Sequence, residues 1–271
     1  MTQETIAEAF SRTAAKYDAF ADDHPHLRRM RNKVYAHLVR HVPPGARILE
    51  LNAGSGTDAV ALAQRGYFVH ATDIAPGMLD RLRDKVRDLR LEDRVTVEER
   101  SFLALADVAG APFDSIFSDL GGLNCAPDLS PIIQQLPNVL RPGGVVTWVL
   151  MPNMCLWEVA EALRGNFRVA FRRLSSKGVR SHLEGLNFDV YYFSPQQVIN
   201  WFGDDFEVLS LEGLSVITPT AESKNFAKMF PRLYRVLCWL DDRLSPYSPW
   251  NGWGDFFILS LRYVPASDDH R

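Results

Sequence analysis

Ala46-Arg-Ile-Leu-Glu-Leu-Asn-Ala-Gly-Ser-Gly56 is the stretch on which the fold turns. Residues 46–51 read as a short buried strand, because the apolar run is too brief for a helix and stops at glycines. Residues 57–65 then read as a helix that closes at Gly66. Working outward, 67–73 is a second strand, Pro76 opens a helix to about Leu89, and 95–98 is a third strand. The alternation continues with a strand at 113–118, a helix at 129–140, the turn Arg141-Pro-Gly-Gly144 and a strand at 145–151. Strands alternating with helices predict a parallel sheet covered on both faces. Two helices precede it, 2–20 and 27–41, with Ile6 and Phe10, then Val34 and Leu38, at helical spacing around the breaker Asp22-Asp-His-Pro25.

Residues 152–192 break this rhythm. A helix at 195–202 and strands at 206–211 and 256–263 then complete the sheet. A second departure, 219–254, holds a predicted helix over 226–244 with Phe230, Leu233, Leu237 and Leu240 on one stripe. The expected class is α/β: a Rossmann-like doubly wound sheet of seven mostly parallel strands, plus N-terminal helices and a lid insertion. A single domain over 1–271 is expected, with 1–42 as a helical cap.

Composition narrows the partners. The 271 residues are 46% hydrophobic and 23% charged, an ordinary globular mixture that can bury a core. Thirty basic against 33 acidic side chains leave a net charge of −3, which argues against the nucleic-acid backbone as main partner. The run Arg28-Arg-Met-Arg-Asn-Lys33 falls on a predicted helix and does not change that expectation. The acidic start Met1-Thr-Gln-Glu-Thr-Ile-Ala-Glu8 lacks the charge and apolar core of a secretory signal. No apolar run approaches the roughly 20 residues of a membrane span. Cys125, Cys155 and Cys238 lack Cys-x-x-Cys spacing, so neither a disulfide framework nor a zinc site is indicated. A cytoplasmic protein without a structural metal is expected.

In a doubly wound sheet the loop after the first strand and the acid ending the second face one crevice. Gly54 and Gly56 let backbone approach a ligand, and the helix that follows offers unpaired N–H groups. Asp73 can accept hydrogen bonds from a ribose diol, which selects an unphosphorylated nucleoside. Gly54-Ser-Gly-Thr-Asp-Ala59 also satisfies the Gly-x-Gly-x-x-Ala dinucleotide fingerprint, so a nicotinamide oxidoreductase is one alternative and a non-catalytic binding module another.

The wider context favours a third reading. Ile48-Leu-Glu-Leu-Asn-Ala-Gly-Ser-Gly56, Ala71-Thr-Asp-Ile-Ala-Pro-Gly-Met-Leu79, Phe113-Asp-Ser-Ile-Phe-Ser-Asp119 and Leu140-Arg-Pro-Gly-Gly144 resemble the ordered motifs of class I S-adenosylmethionine-dependent methyltransferases. The resemblance covers residues 15–151 by motif and 195–263 by pattern. It implies an antiparallel last strand in the sheet, S-adenosylmethionine as cofactor and S-adenosylhomocysteine as product. It implies that Glu50 orients the loop, that Ala53 and Gly54 lie along the cofactor, and that Asp73 holds its ribose with Ile74 and Met78 beside the adenine. Ser101 and Phe102 match the adenine position, and Ser118, Asp119 and Leu120 the methionine side. Tyr17 and Arg31 resemble helix residues that close over the cofactor, with Arg31 facing its carboxylate. Asn52 stands where the family usually has glycine; asparagine tolerates left-handed φ, and its amide is a candidate cofactor contact.

A sulfonium methyl is already activated, so positioning carries most of the reaction. O-methylation by in-line displacement onto a small-molecule or lipid-like acceptor is expected, the acceptor being anionic or aromatic in character. His24, Asn124 and His182 are the candidate catalytic contacts, with His26 beside the first. Between Glu161 and Glu184 there are six cations, Arg164, Arg168, Arg172, Arg173, Lys177 and Arg180, and no acid. That pattern predicts either an anion-attracting lid or a face balanced by acids elsewhere. The two departures, 152–192 and 219–254, are expected to form the acceptor side.

Overall fold

The structure, a computed structural model, describes residues 3–22 and 24–265. β1 (Arg47–Glu50) lies within a seven-stranded sheet, and Ile48 and Leu49, on its opposite faces, are both fully buried. β2 (Phe68–Asp73) and β4 (Phe113–Ser118) flank β1, each parallel to it. β3 (Val95–Glu99) extends one side and β5 (Leu140–Leu150) the other. β9 (Phe256–Tyr263) runs antiparallel between β5 and β8 (Phe206–Leu214), giving the order β3-β2-β1-β4-β5-β9-β8. The sheet is thus the expected one, its last strand in sequence reversed.

Apolar side chains fill both faces. Leu49, Ile116, Trp148 and Phe257 pack on one, with Trp148 against Phe202 at 5.0 Å between ring centroids. Ile48, Phe117, Val149 and Ile258 pack on the other, under α2 (Pro25–His41) and α3 (Thr57–Gln64). Pro25 at the first turn of α2 fixes its entry, and His24 caps it by accepting from the Leu27 N–H at 3.2 Å. α1 (Gln3–Asp22) lies across α4 (Pro76–Asp88) at Gly77. A Cβ there would stand 2.8 Å from the Ser11 carbonyl oxygen, so glycine sets the approach of the two helices.

Three local expectations need correction. The helix expected over 129–140 is two short helices, Ser130–Ile133 and Leu136–Val139, because Pro137 has no N–H to continue the first. The helix expected over 226–244 breaks before Pro231 into Phe226–Met229 and Pro231–Leu244, with Phe230 outside helical geometry at φ −128° and ψ 59°. The irregular segment 152–192 contains an antiparallel hairpin, β6 (Val179–Leu183) and β7 (Leu186–Val190).

The basic insertion also reads differently in three dimensions. Arg173 is buried and donates to Glu158 Oε1 at 2.7 Å, to Asp255 Oδ1 at 2.9 Å and to the Asp255 carbonyl at 2.9 Å. Arg172 takes the other side of Glu158 at 2.7 and 2.8 Å. Acids outside the 162–183 window neutralise both cations, so they are struts rather than an anion lure. Removing one partner of a buried ionic cluster leaves the others uncompensated. Arg173→Met is therefore expected to lower the unfolding free energy in urea by about 3–5 kcal/mol; a loss below about 1 kcal/mol would show that the two carboxylates reach water instead.

Candidate functional site

Helices after β1 and β4 leave on different sides of the sheet, and the crevice between the two strand ends is where a doubly wound fold binds its ligand. The loop after β1 is drawn tight there. Asn52 takes a left-handed φ of +48°, and its Oδ1 accepts from Ser118 Oγ at 2.8 Å, tying the loop to the end of β4. The Asn52 amide lies so close to Gly122 that a Cβ there would fall 2.3 Å from Nδ2. Gly56, at φ +80°, has Leu82 beneath it, where a Cβ would stand 2.5 Å from Cγ. Gly54, at φ +55°, has nothing within 4 Å of its absent Cβ, so the backbone lies bare to the crevice.

Asp73, at the end of β2, clamps this loop. Its Oδ2 accepts from the Gly54 N–H at 2.8 Å and its Oδ1 from the Ala75 N–H at 2.9 Å. Burial pushes its pKa up, and these backbone donors hold part of that rise back. Three more carboxylates converge. Asp58, at the start of α3, accepts from Tyr35 Oη at 2.5 Å and from Arg31 Nε at 3.1 Å. Glu50 is buried with Oε2 unpartnered among the described residues, and burial together with Asp58 and Asp119 lifts its pKa far above the carboxylate range. Asp119 accepts from the Leu120 N–H at 2.7 Å, but its Oδ2 has no partner among the described residues. Burial, then the neighbouring Asp58, pushes Asp119 up to about 8. Two orphaned buried carboxylate oxygens make this a place where a cationic group lowers the energy.

A cavity of about 280 Å³ opens over these groups. α1 supplies the roof with Ile6, Phe10 and Tyr17, and the hairpin supplies Ser181, Phe188 and Val190. Phe10 and Phe188 meet at 5.8 Å between centroids, and Lys16 pairs with Glu184 at 3.0 Å. Asp18 of α1 accepts from Ser55 Oγ at 2.6 Å and from Lys85 Nζ at 2.7 Å, which fastens the roof to the glycine loop.

Of the residues singled out in the sequence, Tyr17, Arg31, Asn52, Ala53, Gly54, Asp73, Ile74 and Met78 line this cavity, as do Phe102, Asp119 and Leu120. Glu50, Ser101 and Ser118 stand behind the lining. Ser101 Oγ accepts from Gln3 at 2.8 Å and Ser118 supports Asn52. The three catalytic candidates lie elsewhere. His24 is fully buried as the α2 cap, with Nε2 2.7 Å from the Ala221 carbonyl. Its neighbour His26 is also buried, held by Tyr234 and Ser215, and desolvation lowers its pKa to about 4. Asn124 spends its amide on backbone, donating to the Tyr191 and Met151 carbonyls and accepting from the Met151 N–H at 2.9 Å. His182 is exposed because strand alternation turns it away from the cavity that its neighbour Ser181 lines.

Asp58, Cys125, Met151 and the hairpin wall escaped the sequence reading. Asp58 carried a signal, an acid in the first turn after the glycine loop. The hairpin carried none, since only the fold brings it under α1.

Residues 48–144 match the family described as a methyltransferase domain. Over these residues the chain carries a methyltransferase domain. Among relatives, it is 32% identical over 164 residues to a malonyl-[acyl-carrier protein] O-methyltransferase of Serratia marcescens, covering 60% of this chain and 58% of that one. It is 24% identical over 234 residues to the tRNA 5-carboxymethoxyuridine methyltransferase of Escherichia coli, with 83% of each covered. The chain therefore spans less than two thirds of the Serratia relative's length. Among solved structures, the [4+2]-cyclase SpnF superposes with a TM-score of 0.63 at 14% identity, covering 98% of both chains. A Burkholderia thailandensis 1,6-didemethyltoxoflavin-N1-methyltransferase with bound S-adenosylhomocysteine superposes at 0.59 with 15% identity over 97% of this chain and 89% of that one. These likenesses establish the fold.

The methyltransferase site fits S-adenosylmethionine on its own residues. The bare Gly54 backbone admits a close ligand, and the orphaned oxygen of Asp119, which lines the cavity, suits a positive charge. If Asp73 holds the ribose, Asp73→Ala is expected to weaken S-adenosylhomocysteine binding at least about tenfold by calorimetry, a charged acceptor being lost, while NADH gives no heat with either protein. Unchanged affinity would place the nucleoside elsewhere. A cation beside Asp119 favours its ionised form, so uptake of S-adenosylmethionine below about pH 8 should release a proton, read as dependence of the heat on buffer ionisation enthalpy. In the free protein the raised carboxyl keeps a proton that the unfolded chain loses. Stability is therefore expected to fall as pH rises from the usual carboxylate range through about 8, and Asp119→Asn should flatten both effects.

Proposed function

We propose that the protein transfers a methyl group from S-adenosylmethionine to an oxygen of a small, largely apolar or lipid-like acceptor. The observation that carries this reading is the apolar share of the cavity lining, to which Phe10, Met151, Phe188 and Val190 contribute. When bound, the cofactor supplies a methyl group activated on a sulfonium. The chain's own work is then to hold, align and exclude water. Asp73 and the Gly54 backbone fix the nucleoside end, and Arg31, held by Asp58, faces the carboxylate of the methionine end. The free Oδ2 of Asp119 receives the ammonium. Phe10 and Phe188 close over the reacting end.

No histidine or lysine lines the cavity among the described residues. An acceptor oxygen that arrives ionised, such as a carboxylate, needs no base and suits this lining. The Serratia relative is named for O-methylation, which supports the choice of oxygen. The E. coli relative, alike over most of both chains, is named for a transfer-RNA nucleoside, so the net charge alone does not remove an RNA acceptor, and that is the second reading. We further propose that 1–271 acts as one catalytic unit in the cytoplasm; its three cysteines are free, and among the described residues no helix is long and apolar enough to cross a membrane.

Methyl-labelled cofactor offered with small carboxylic acids, with hydroxylated apolar compounds and with bulk transfer RNA tests the choice. Label is expected in a base-labile ester of a small acid, and Phe188→Ala is expected to raise the KM for that acid several-fold with cofactor affinity unchanged. Label confined to RNA would replace the first reading with the second.

A further inference from the structure

The helix Pro231–Leu244 is held along one side and bare along the other. On its inner side, the Tyr234 hydroxyl pairs with His26 Nδ1 at 2.8 Å, and Asp241 Oδ1 accepts from the Val216 and Ile217 N–H groups, each at 2.8 Å. Arg29 of α2 adds a bond to Asp242 at 2.6 Å. Arg232, Val236, Trp239 and Arg243 follow at four- and three-residue spacing and so share the outer side. Val236 is 54% exposed, Trp239 53% and Leu233 49%. Apolar side chains lined up on one exposed face call for a partner.

Two further observations say what kind. Arg232 and Arg235 are exposed and make no hydrogen bond or ion pair among the described residues. With Val236 and Trp239 they line a groove of about 300 Å³, so two unused guanidinium groups share one recess with an indole and a branched aliphatic chain. Arg243 lies over the Trp239 ring at 4.6 Å and brings a third cation to the same rim. A second copy of the chain, packed through a two-fold axis on this face, would set arginine against arginine. An anionic bilayer satisfies both halves: phosphates accept from the guanidinium fork, and Trp239, Val236 and Leu233 enter the boundary with the acyl chains.

We infer that this helix docks the protein on the surface of an anionic phospholipid bilayer, its groove receiving a lipid phosphate. The other insertion is joined to this region through Trp157, whose ring meets Phe226 at 6.4 Å. It exposes Leu163 by 92% and Phe167 by 62% beside Arg168, a second patch with apolar side chains next to a cation. The docking is independent of the methyl-transfer reading, since it uses no cavity residue.

The test is co-sedimentation of the full chain with vesicles of phosphatidylcholine alone and of equal parts phosphatidylcholine and phosphatidylglycerol. Binding is expected to the mixed vesicles only, weakening as salt is raised. The double variants Arg232→Glu/Arg235→Glu and Val236→Asp/Trp239→Asp are each expected to lose at least about tenfold in apparent affinity. Both pairs are on the surface, and an unchanged thermal midpoint establishes that each variant is folded. No sedimentation of the wild type, or equal sedimentation of wild type and variants, overturns the inference. So does a concentration-dependent dimer that Val236→Asp/Trp239→Asp dissociates, because the face would then be a contact between copies.

Discussion

Because β1 pairs in parallel with β2 on one side and β4 on the other, the chain must part at their carboxyl ends, and Asp73 governs what happens in that gap. One of its oxygens holds the loop after β1 and the other holds the start of α4. The clamp forces Gly54 into left-handed backbone and leaves its peptide facing open space. Asn52 is drawn into the same strained region and steadied by Ser118 from the end of β4. Asp73 and the Asn52–Ser118 bond together link three strand ends and shape the surface on which a nucleoside can rest.

The electrostatics follow from that geometry. Glu50, Asp58 and Asp119 are brought close because each ends a strand or begins a helix at the same gap. Burying several like charges is costly, and the molecule limits the cost in two ways. Asp58 is paired with Arg31 and bonded by Tyr35, while Glu50 and Asp119 are pushed toward their protonated forms. A ligand carrying positive charge removes the conflict, so the least comfortable part of the free protein is the part best fitted to its cofactor.

The roof and the two insertions surround this centre with different materials. α1 is attached through close approach at Gly77 and through Asp18, and the hairpin reaches it through Phe10 and Glu184. Arg173 anchors the insertion to the body by joining Glu158 to Asp255, residues far apart in sequence. The helix Pro231–Leu244 returns to α2 on its inner side and keeps its tryptophan and arginines outward.

Periodicity and turn chemistry by themselves determined the seven strands and the position of the crevice, because strand alternation and glycine loops are local properties of the chain, whereas the reversed last strand came only with the family resemblance. They also brought Asp73, Gly54 and Asp119 to that crevice, since a residue ending a parallel strand is placed by the strand. Proline breaks inside predicted helices are legible too, at Pro137 and Pro231, because a residue without an N–H marks the break in the sequence itself. What only the tertiary structure decided is the partner of each polar side chain. His24, Asn124 and His182 looked available in sequence, yet two are absorbed by backbone groups and one is turned outward by strand alternation. Arg172 and Arg173 look unbalanced in sequence because their acids, Glu158 and Asp255, lie outside the basic segment. Burial and pairing depend on contacts between distant segments, and local sequence carries no record of them.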